Sequence, residues 1–383
     1  MGSLGTTYGG LVGKTREDFG VGQAQYIPFM AIMGGVRVTR QSLLKVRVAN
    51  GERQNAVKTG DLLFNTSSET PDELAMCAVA KGLPVDTYVN SFCFGFRLCD
   101  DDTADSLFLA YLFTSGVGRR LMKALAQGAI RYNLSRSQFR KVVVTLPPLD
   151  EQRAMAAALS DADELIEGLQ RLVAKKEAIK QGMMQQLLTG EARLPGFTGK
   201  WSEVRLGDIA SVKTGSRNNQ DKQIAGRYPF YVRSATVEQI NTYSYDCEAV
   251  LVPGEGGIGS IFHYVDGKFE VHQRVYTISQ FDVDTAGKFV YYYMKQFFGR
   301  HAMENSVKAT VDSLRLPTFV GFAMRTPDDV DEQRAIVAVL DDGEAEIGRL
   351  RTRLTKIKAI KQGMMQELLT GRTRLPVMEA AAA

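Results

Sequence analysis

Two stretches of the chain carry an apolar stripe at helical spacing over many turns. In the first, Leu159, Ala162, Ile166, Leu169, Val173 and Lys176 follow one another in alternating steps of three and four. In the second, Leu340, Gly343, Ile347, Leu350, Leu354 and Ile357 do the same. Such a seam is narrow and suits a single partner helix. No proline interrupts either stretch between its DEQR and RLP segments. Asp150 and Glu151, and Asp331 and Glu332, stand at the two helix starts, where the dipole favours negative charge. Gly190 and Gly371 follow Leu-Leu-Thr as C-terminal caps, with Pro195 and Pro376 beyond. The pattern predicts two helices of roughly 40 residues, each roughly 60 Å long.

The two stretches are copies. LDEQR at 149–153 returns as VDEQR at 330–334, KQGMMQQLLTG at 180–190 as KQGMMQELLTG at 361–371, and ARLP at 192–195 as TRLP at 373–376. Asp331 follows Asp150, and Lys361 follows Lys180, by the same 181 residues. Duplication produces a constant offset of this kind, whereas a solenoid needs more copies at a shorter period. Two equal stripes are expected to pack on each other. The alternative is that each packs on its neighbouring domain. Lys176 interrupts the first seam, opposite Ile357, and is expected to snorkel.

Between the copies lie residues 1–148 and 196–329, similar in size and in layout. Each has strand-like runs, then an amphipathic helix, then a loop and a final strand. In the first, Phe92, Phe94, Phe96 and Leu98 alternate at period two. A helix near 104–126 and a loop at 128–139 follow. In the second, Phe269, Val271, Val275 and Tyr276 mark the strand pattern. A tyrosine-rich helix near 285–303 and a loop at 308–319 come next. The loops share Ala129, Leu134 and Phe139 with Ala309, Leu314 and Phe319. The scaffold is duplicated while the exposed residues differ, which implies one architecture recognising two different things.

The totals refine this picture. With 383 residues the chain is too long for one core, and two or three domains are expected. A net charge of +4 permits nucleic-acid binding if the positive charge is concentrated on one surface. No apolar run is long enough to span a bilayer, and the first residues lack a secretory signal. The loose myristoylation pattern in MGSLGT is read as chance or as a cloning scar, and a cytoplasmic location is the default. Cys77, Cys93, Cys99 and Cys247 form no paired motif and are expected to be buried free thiols. His263, His272 and His301 have no metal-ligand spacing, so no metal site is expected.

At this level of detail the chain resembles the specificity subunits of bacterial type I restriction–modification systems. The resemblance is carried by LPPLDEQR, by the helix ending KQGMMQQLLTGEARLPGF, by WSEVRLGDIA at 201–210 and by the second helical copy. TYGGLVGKTREDFG, LLFNTSSETPDE, NSFCFGFRL and QGAIRYNLS resemble one type of recognition domain. LVPGEGGIGSIF, GKFEVHQRVYTI and KATVDSLR resemble another. The resemblance implies an α+β protein in which two α/β target-recognition domains are separated by two long helices. Those helices would form an antiparallel coiled coil with a pseudo-twofold internal repeat.

The implied boundaries are 1–148 for the first recognition domain, 149–195 for the central helical repeat and 196–329 for the second recognition domain. The second helical repeat then occupies 330–376 and a tail 377–383. The resemblance further implies that each domain reads one half of a split DNA site, with the helices setting the spacer. The helices would also dock two methyltransferase subunits, and restriction subunits would join that core. S-adenosylmethionine, ATP and Mg²⁺ are expected in the partner subunits and no cofactor in this chain. The first domain lacks the WSEVRLGDIA prefix, so an edge strand is expected to be missing there. A natural start and a trimmed one are both compatible with this.

DNA reading needs cations for phosphates and polar groups for base edges. The first domain offers Lys14 and Arg16 after a glycine-rich stretch, Ser67 and Ser68 after a strand, and Arg131, Tyr132, Asn133, Ser135 and Arg136 in one loop. The second offers Lys213, Thr214, Ser216 and Arg217, then Gly256 and Gly257, where glycine lets the backbone approach a ligand. His272, Gln273 and Arg274 follow, and Lys308, Thr310 and Arg315 lie in the late loop.

Enzyme signatures are missing from the sequence. GGLVGKT at 9–15 nearly spells a phosphate loop, but Tyr8 stands where its first glycine belongs. No dinucleotide fingerprint, adenine-methyltransferase tetrapeptide or catalytic triad spacing is present. A coiled-coil adaptor that binds only proteins is the competing reading, and it would show no salt-dependent DNA affinity.

Overall fold

A computed structural model of the chain describes residues 1–100, 102–305 and 313–375. The chain divides into two compact units. One comprises residues up to Leu169 and from Arg353 onward, the other Gln170–Thr352. The two long helices run over Leu149–Thr189 and Val330–Leu368, so each contributes to both units.

In the first unit a five-stranded sheet runs in the order Gly5–Gly9, Cys93–Leu98, Leu62–Asn65, Cys77–Ala80, Arg37–Val38. Pairing is antiparallel except at the Arg37–Val38 edge. Alternation along Cys93–Leu98 sends Phe94 and Phe96 into a cluster with Phe64, Phe113 and Phe139. Phe64 and Phe94 stack at 5.2 Å, and burying such rings supplies much of a domain's apolar drive. Phe92 departs from the expected pattern: it lies before the strand and is 56% exposed. A second sheet joins Phe19–Ile27 to Leu44–Val46 and Thr87–Val89.

The expected helix near 104–126 is two, Ser106–Thr114 and Gly116–Lys123. Ser115 breaks it because its hydroxyl accepts a hydrogen bond from the Gly118 amide at 3.3 Å and caps the second helix. The loop at 128–139 is also more ordered than expected. It contains the short strand Tyr132–Asn133 and the helix Arg136–Arg140.

In the second unit a six-stranded sheet runs Ser211–Thr214, Val275–Ser279, Tyr245–Pro253, His263–Val271, Tyr228–Tyr231, Glu238–Ile240. Phe269, Val271 and Val275 are buried as the alternation requires, with a tight reversal at His272–Arg274 between their strands. Helix Gly287–Glu304 packs over the sheet through Val290, Met294 and Phe298. Trp201–Arg205 pairs antiparallel with Ala323–Pro327. Of the expected late loop, residues 308–312 lie outside the described residues, and Leu316–Val320 is a short helix.

The long helices pack on each other in opposite senses within each unit. In the first, Leu159 shares a core with Leu368 and Leu369, and Lys361 Nζ lies 2.5 Å from Asp163 Oδ1. In the second, Leu340 shares a core with Met184, Leu187 and Leu188. There Lys180 pairs with Glu344, the positions that correspond to Lys361 and Asp163 in the repeat. Of the expected seam, Leu159, Ile166, Leu169, Val173, Leu340 and Ile347 are buried, while Leu350, Leu354 and Ile357 are half-buried. Lys176 does not merely snorkel but pairs with Glu346 at 2.8 Å. Gly190 and Gly371 take φ of 74° and 70°, the left-handed caps the sequence requires.

The DEQR motif has two structural tasks. Gln152 accepts from the Asp105 amide and donates to the carbonyls of Thr103 and Pro147. Gln333 repeats this with Ala286, Asp284 and Pro327. Each glutamine thereby fixes the start of a recognition-domain helix to the long helix. The glutamates, expected only to favour the dipole, form ion pairs as well: Glu332 with Arg193, Glu151 with Arg374.

Two of the four cysteines depart from the expected burial. Cys77 and Cys93 are buried, but Cys99 is exposed and Cys247 half-buried. Burial pushes the Cys93 thiol up to about 12. Among the described residues no helix is long and apolar enough to cross a membrane, and no cluster of three potential metal ligands forms.

Candidate nucleic-acid interface

In the second unit the distant candidates converge. Thr214, Gln273, Arg274 and Arg315 line one cleft of about 230 Å³, together with Gly254, Glu255, Tyr276 and Ser313. The Val275–Ser279 strand places Tyr276 opposite Thr214 on one side and Val252 on the other, so the strand ends meet at this rim. The Gly254 amide donates to the Arg274 carbonyl and the Leu314 amide to the Gly254 carbonyl, which seats the late loop here. Arg315 is exposed at the start of the Leu316–Val320 helix, and Lys213 and Ser216, on either side of Thr214 in sequence, are exposed as well. Gly256 and Gly257 are exposed with φ of 72° and 74°, a turn that other residues resist.

Glu255 is a component that sequence spacing gave no means to find. It accepts from Arg233 Nη1 at 3.3 Å and lies 3.4 Å from Arg274 Nη1, holding two exposed arginines at one edge of the cleft. The three positions are far apart in the chain, so only the fold unites them. A carboxylate between arginines orients guanidinium groups that would otherwise sweep freely.

Other candidates serve the fold. Arg217 pairs with the fully buried Glu270 at 3.3 Å, and Ser244 donates to the same carboxylate at 2.8 Å. His272 is 4% exposed, and its Nδ1 accepts from the Arg274 amide at 3.0 Å, bracing the reversal. Burial pushes its pKa down, helped by Arg233 and Arg274. Gln273 Nε2 donates to Asn218 Oδ1 at 2.5 Å, although the residue is exposed. Lys308 and Thr310 lie outside the described residues.

In the first unit Ser67 and Ser68 are buried under Asn133 and Tyr132, their antiparallel partners. The segment that follows the strand therefore supports the later loop and does not project beside it. Arg131, Asn133 and Arg136 are exposed on that support, while Tyr132 and Ser135 are half-buried. Asn133 Nδ2 donates to the Arg131 carbonyl at 3.1 Å, and the Ser135 hydroxyl meets Ser137 at 2.6 Å. A Cβ placed on Gly9 would stand 3.5 Å from Arg136 Nη1, so the glycine-rich stretch and this loop are neighbours. Arg16 is exposed.

Lys14 is bound to Glu52 at 2.6 Å and holds that carboxyl down to about 2. The same unit holds a group the sequence did not reveal: buried Asp61, held by Arg97 at 2.6 Å and by the Tyr8 hydroxyl at 2.5 Å. Burial and Asp61 push the Tyr8 phenol well above its ordinary range.

Comparison with known proteins agrees with this architecture. The family described as "Type I restriction modification DNA specificity domain" matches residues 38–179 and again 198–359. The Escherichia coli protein "Type I restriction enzyme EcoDI specificity subunit" is 30% identical over 170 residues, 44% of this chain and 37% of that protein. The chain therefore spans well under half the length of that relative. The Methanocaldococcus jannaschii protein "Putative type I restriction enzyme MjaX specificity subunit" is 22% identical over 82% of this chain and 79% of its own. Among solved structures, the type I restriction–modification S subunit from M. genitalium superposes with a TM-score of 0.66 at 16% identity. It covers 96% of this chain and 94% of that one. A structure described as addressing complex assembly and conformational transition of the type I R-M system gives 0.53 at 18%, covering 90% and 91%.

Proposed function

The chain belongs to the type I restriction–modification DNA specificity family, and from that premise we propose how it divides the work. Residues 1–148 and 196–329 each read one half of a split, asymmetric DNA site. Residues 149–195 and 330–376 set the distance between the halves and dock two methyltransferase subunits, with restriction subunits joining them. Residues 377–383 are a tail. The chain itself performs no chemistry and works in the cytoplasm. S-adenosylmethionine, ATP and Mg²⁺ serve the partner subunits.

One observation carries this reading. On a framework whose helices, caps and ion pairs are duplicated, two different loop clusters present basic and polar side chains. Thr214, Arg274 and Arg315 surround the cleft in the second unit, and Arg131, Asn133 and Arg136 stand out in the first. Arginine suits guanine and phosphate, and asparagine suits adenine. Arg16, Lys213, Ser216, Gly256, Gly257 and Gln273 flank these as further contacts. Lys14, Ser67, Ser68, Arg217 and His272 act behind them as supports.

Exchange of residues 201–325 for another recognition domain tests this. Co-expressed with the methyltransferase subunits, the hybrid is expected to methylate a site changed in one half only. A change in both halves, or in neither, contradicts the division.

A further inference from the structure

The carboxylate of Glu255 is shared between two arginines, one to each oxygen. Arg233 Nη1 lies 3.3 Å from Oε2, and Arg274 Nη1 lies 3.4 Å from Oε1. Glu255 and Arg274 both line the cleft, and their side chains are 23% and 59% exposed, so a ligand can reach each. Arg233 is not part of that lining and tethers the far oxygen.

The main chain beneath both groups is held. Glu255 forms an antiparallel bridge with Ser313. The Gly254 amide donates to the Arg274 carbonyl at 2.8 Å, and the Arg274 amide donates to His272 Nδ1 at 3.0 Å. Carboxylate and guanidinium therefore meet a ligand as one pre-set unit, with little ordering left to do.

A carboxylate in this place opposes the positive field that draws DNA in. What it adds is an acceptor beside a donor fork. Taken in order, Arg274 and Glu255 present donor, donor, acceptor. In the major groove a G·C pair presents the complement, the N7 and O6 acceptors of guanine and then the N4 amine of cytosine. An A·T pair presents an acceptor at N7, a donor at N6 and an acceptor at thymine O4. Against that row one arginine donor faces an amine and the carboxylate faces a carbonyl oxygen, and both contacts repel.

We propose that Glu255 and Arg274 together read one G·C pair of the half-site bound by residues 196–329. Arg274 donates to guanine N7 and O6, and Glu255 accepts from the cytosine N4 amine. This rests on the reading that the cleft faces DNA, and it names what the cleft selects. Arg274 in the groove also adds its charge to counterion release. Glu255 is thereby a specificity residue that lowers general attraction to phosphate and rejects the wrong pair.

The test is mapping of methylated adenines in cells that co-express the methyltransferase subunits with the unaltered chain, or with Glu255→Gln. The unaltered chain should direct a split motif with a fixed G·C pair in one half. Glutamine can donate as well as accept, so it suits thymine O4 and removes the repulsion. Glu255→Gln should therefore raise methylation of sites with A·T at that one position by about tenfold, with the other half and the spacer unchanged. Should Glu255→Gln fail to fold, the DNA is altered instead. Replacing that guanine with 7-deazaguanine removes N7 and should weaken binding to the unaltered complex about tenfold, yet make no difference to an Arg274→Ala complex. A motif that Glu255→Gln leaves unchanged, or methylation lowered alike at every site, overturns the proposal and leaves the split-site reading standing. So does a split motif with no fixed G·C pair, or equal sensitivity to 7-deazaguanine in both complexes. No split motif from the unaltered chain overturns the reading beneath and the proposal with it.

Discussion

Arg193 holds Glu332 in a two-pronged salt bridge, Nε to Oε1 at 2.6 Å and Nη2 to Oε2 at 2.7 Å. The arginine follows one long helix and the glutamate opens the other, within the same unit. Arg374 grips Glu151 in the same way, with Nε 3.1 Å from Oε2. Each RLP segment thus fastens the DEQR segment of the other copy. The Glu332 side chain is 1% exposed, so its charge depends on this partner. Arg193→Met is expected to destabilise the second unit by about 3 kcal/mol, because an unpaired buried carboxylate is costly. Replacing both residues with apolar ones should recover much of the loss. Urea unfolding of the two variants checks this. Equal losses in the single and double variants would show that the pair contributes no coupling.

Arg217 and Arg274 belong to adjoining segments but are expected to fail in different ways. Arg217 neutralises buried Glu270. Arg217→Met should cost about 1–3 kcal/mol of stability, reduced from the fully buried case because the arginine is partly exposed. Arg274 and Arg315 line the open cleft. Their alanine variants should leave the melting temperature nearly unchanged. In complex with the methyltransferase subunits, they should weaken DNA binding and flatten its salt dependence by about one unit of slope each. Melting curves beside salt titrations separate the two roles.

Acid should loosen the second unit. Burial lowers the pKa of both His263 and His272 in the fold. The unfolded chain then binds more protons than the folded one, so stability rises with pH. Their contribution is complete above the ordinary histidine value of about 6.5 and falls away as pH drops below it. Melting temperatures between pH 7.5 and 5.5 should decline, and a His263→Asn, His272→Gln variant should decline less. Parallel profiles would remove the histidines from the account.

The long helices were legible because their information is local and duplicated. The three-four stepping of Leu159 to Val173, the glycine caps and the constant offset all lie on the chain itself. The recognition loops were legible only by composition. Lys14 looks free in sequence, but Glu52, which holds it, lies 38 positions away. Arg217 and Glu270 are 53 apart. Ser67 and Ser68 look like an exposed polar turn until Tyr132 and Asn133 cover them. Hydrophilic residues at loop positions do not disclose which charges are already paired, because pairing is decided by strands that return from elsewhere. The two-helix break at Ser115 was equally hidden, since an amphipathic run reads through a capping serine.

Single-molecule mapping of methylated adenines tests the central claim most directly. It needs cells that co-express the methyltransferase subunits with and without this chain. The account predicts a split motif with a fixed spacer, present only with the chain. Methylation that is the same without it would contradict the account, as would none from a stable complex.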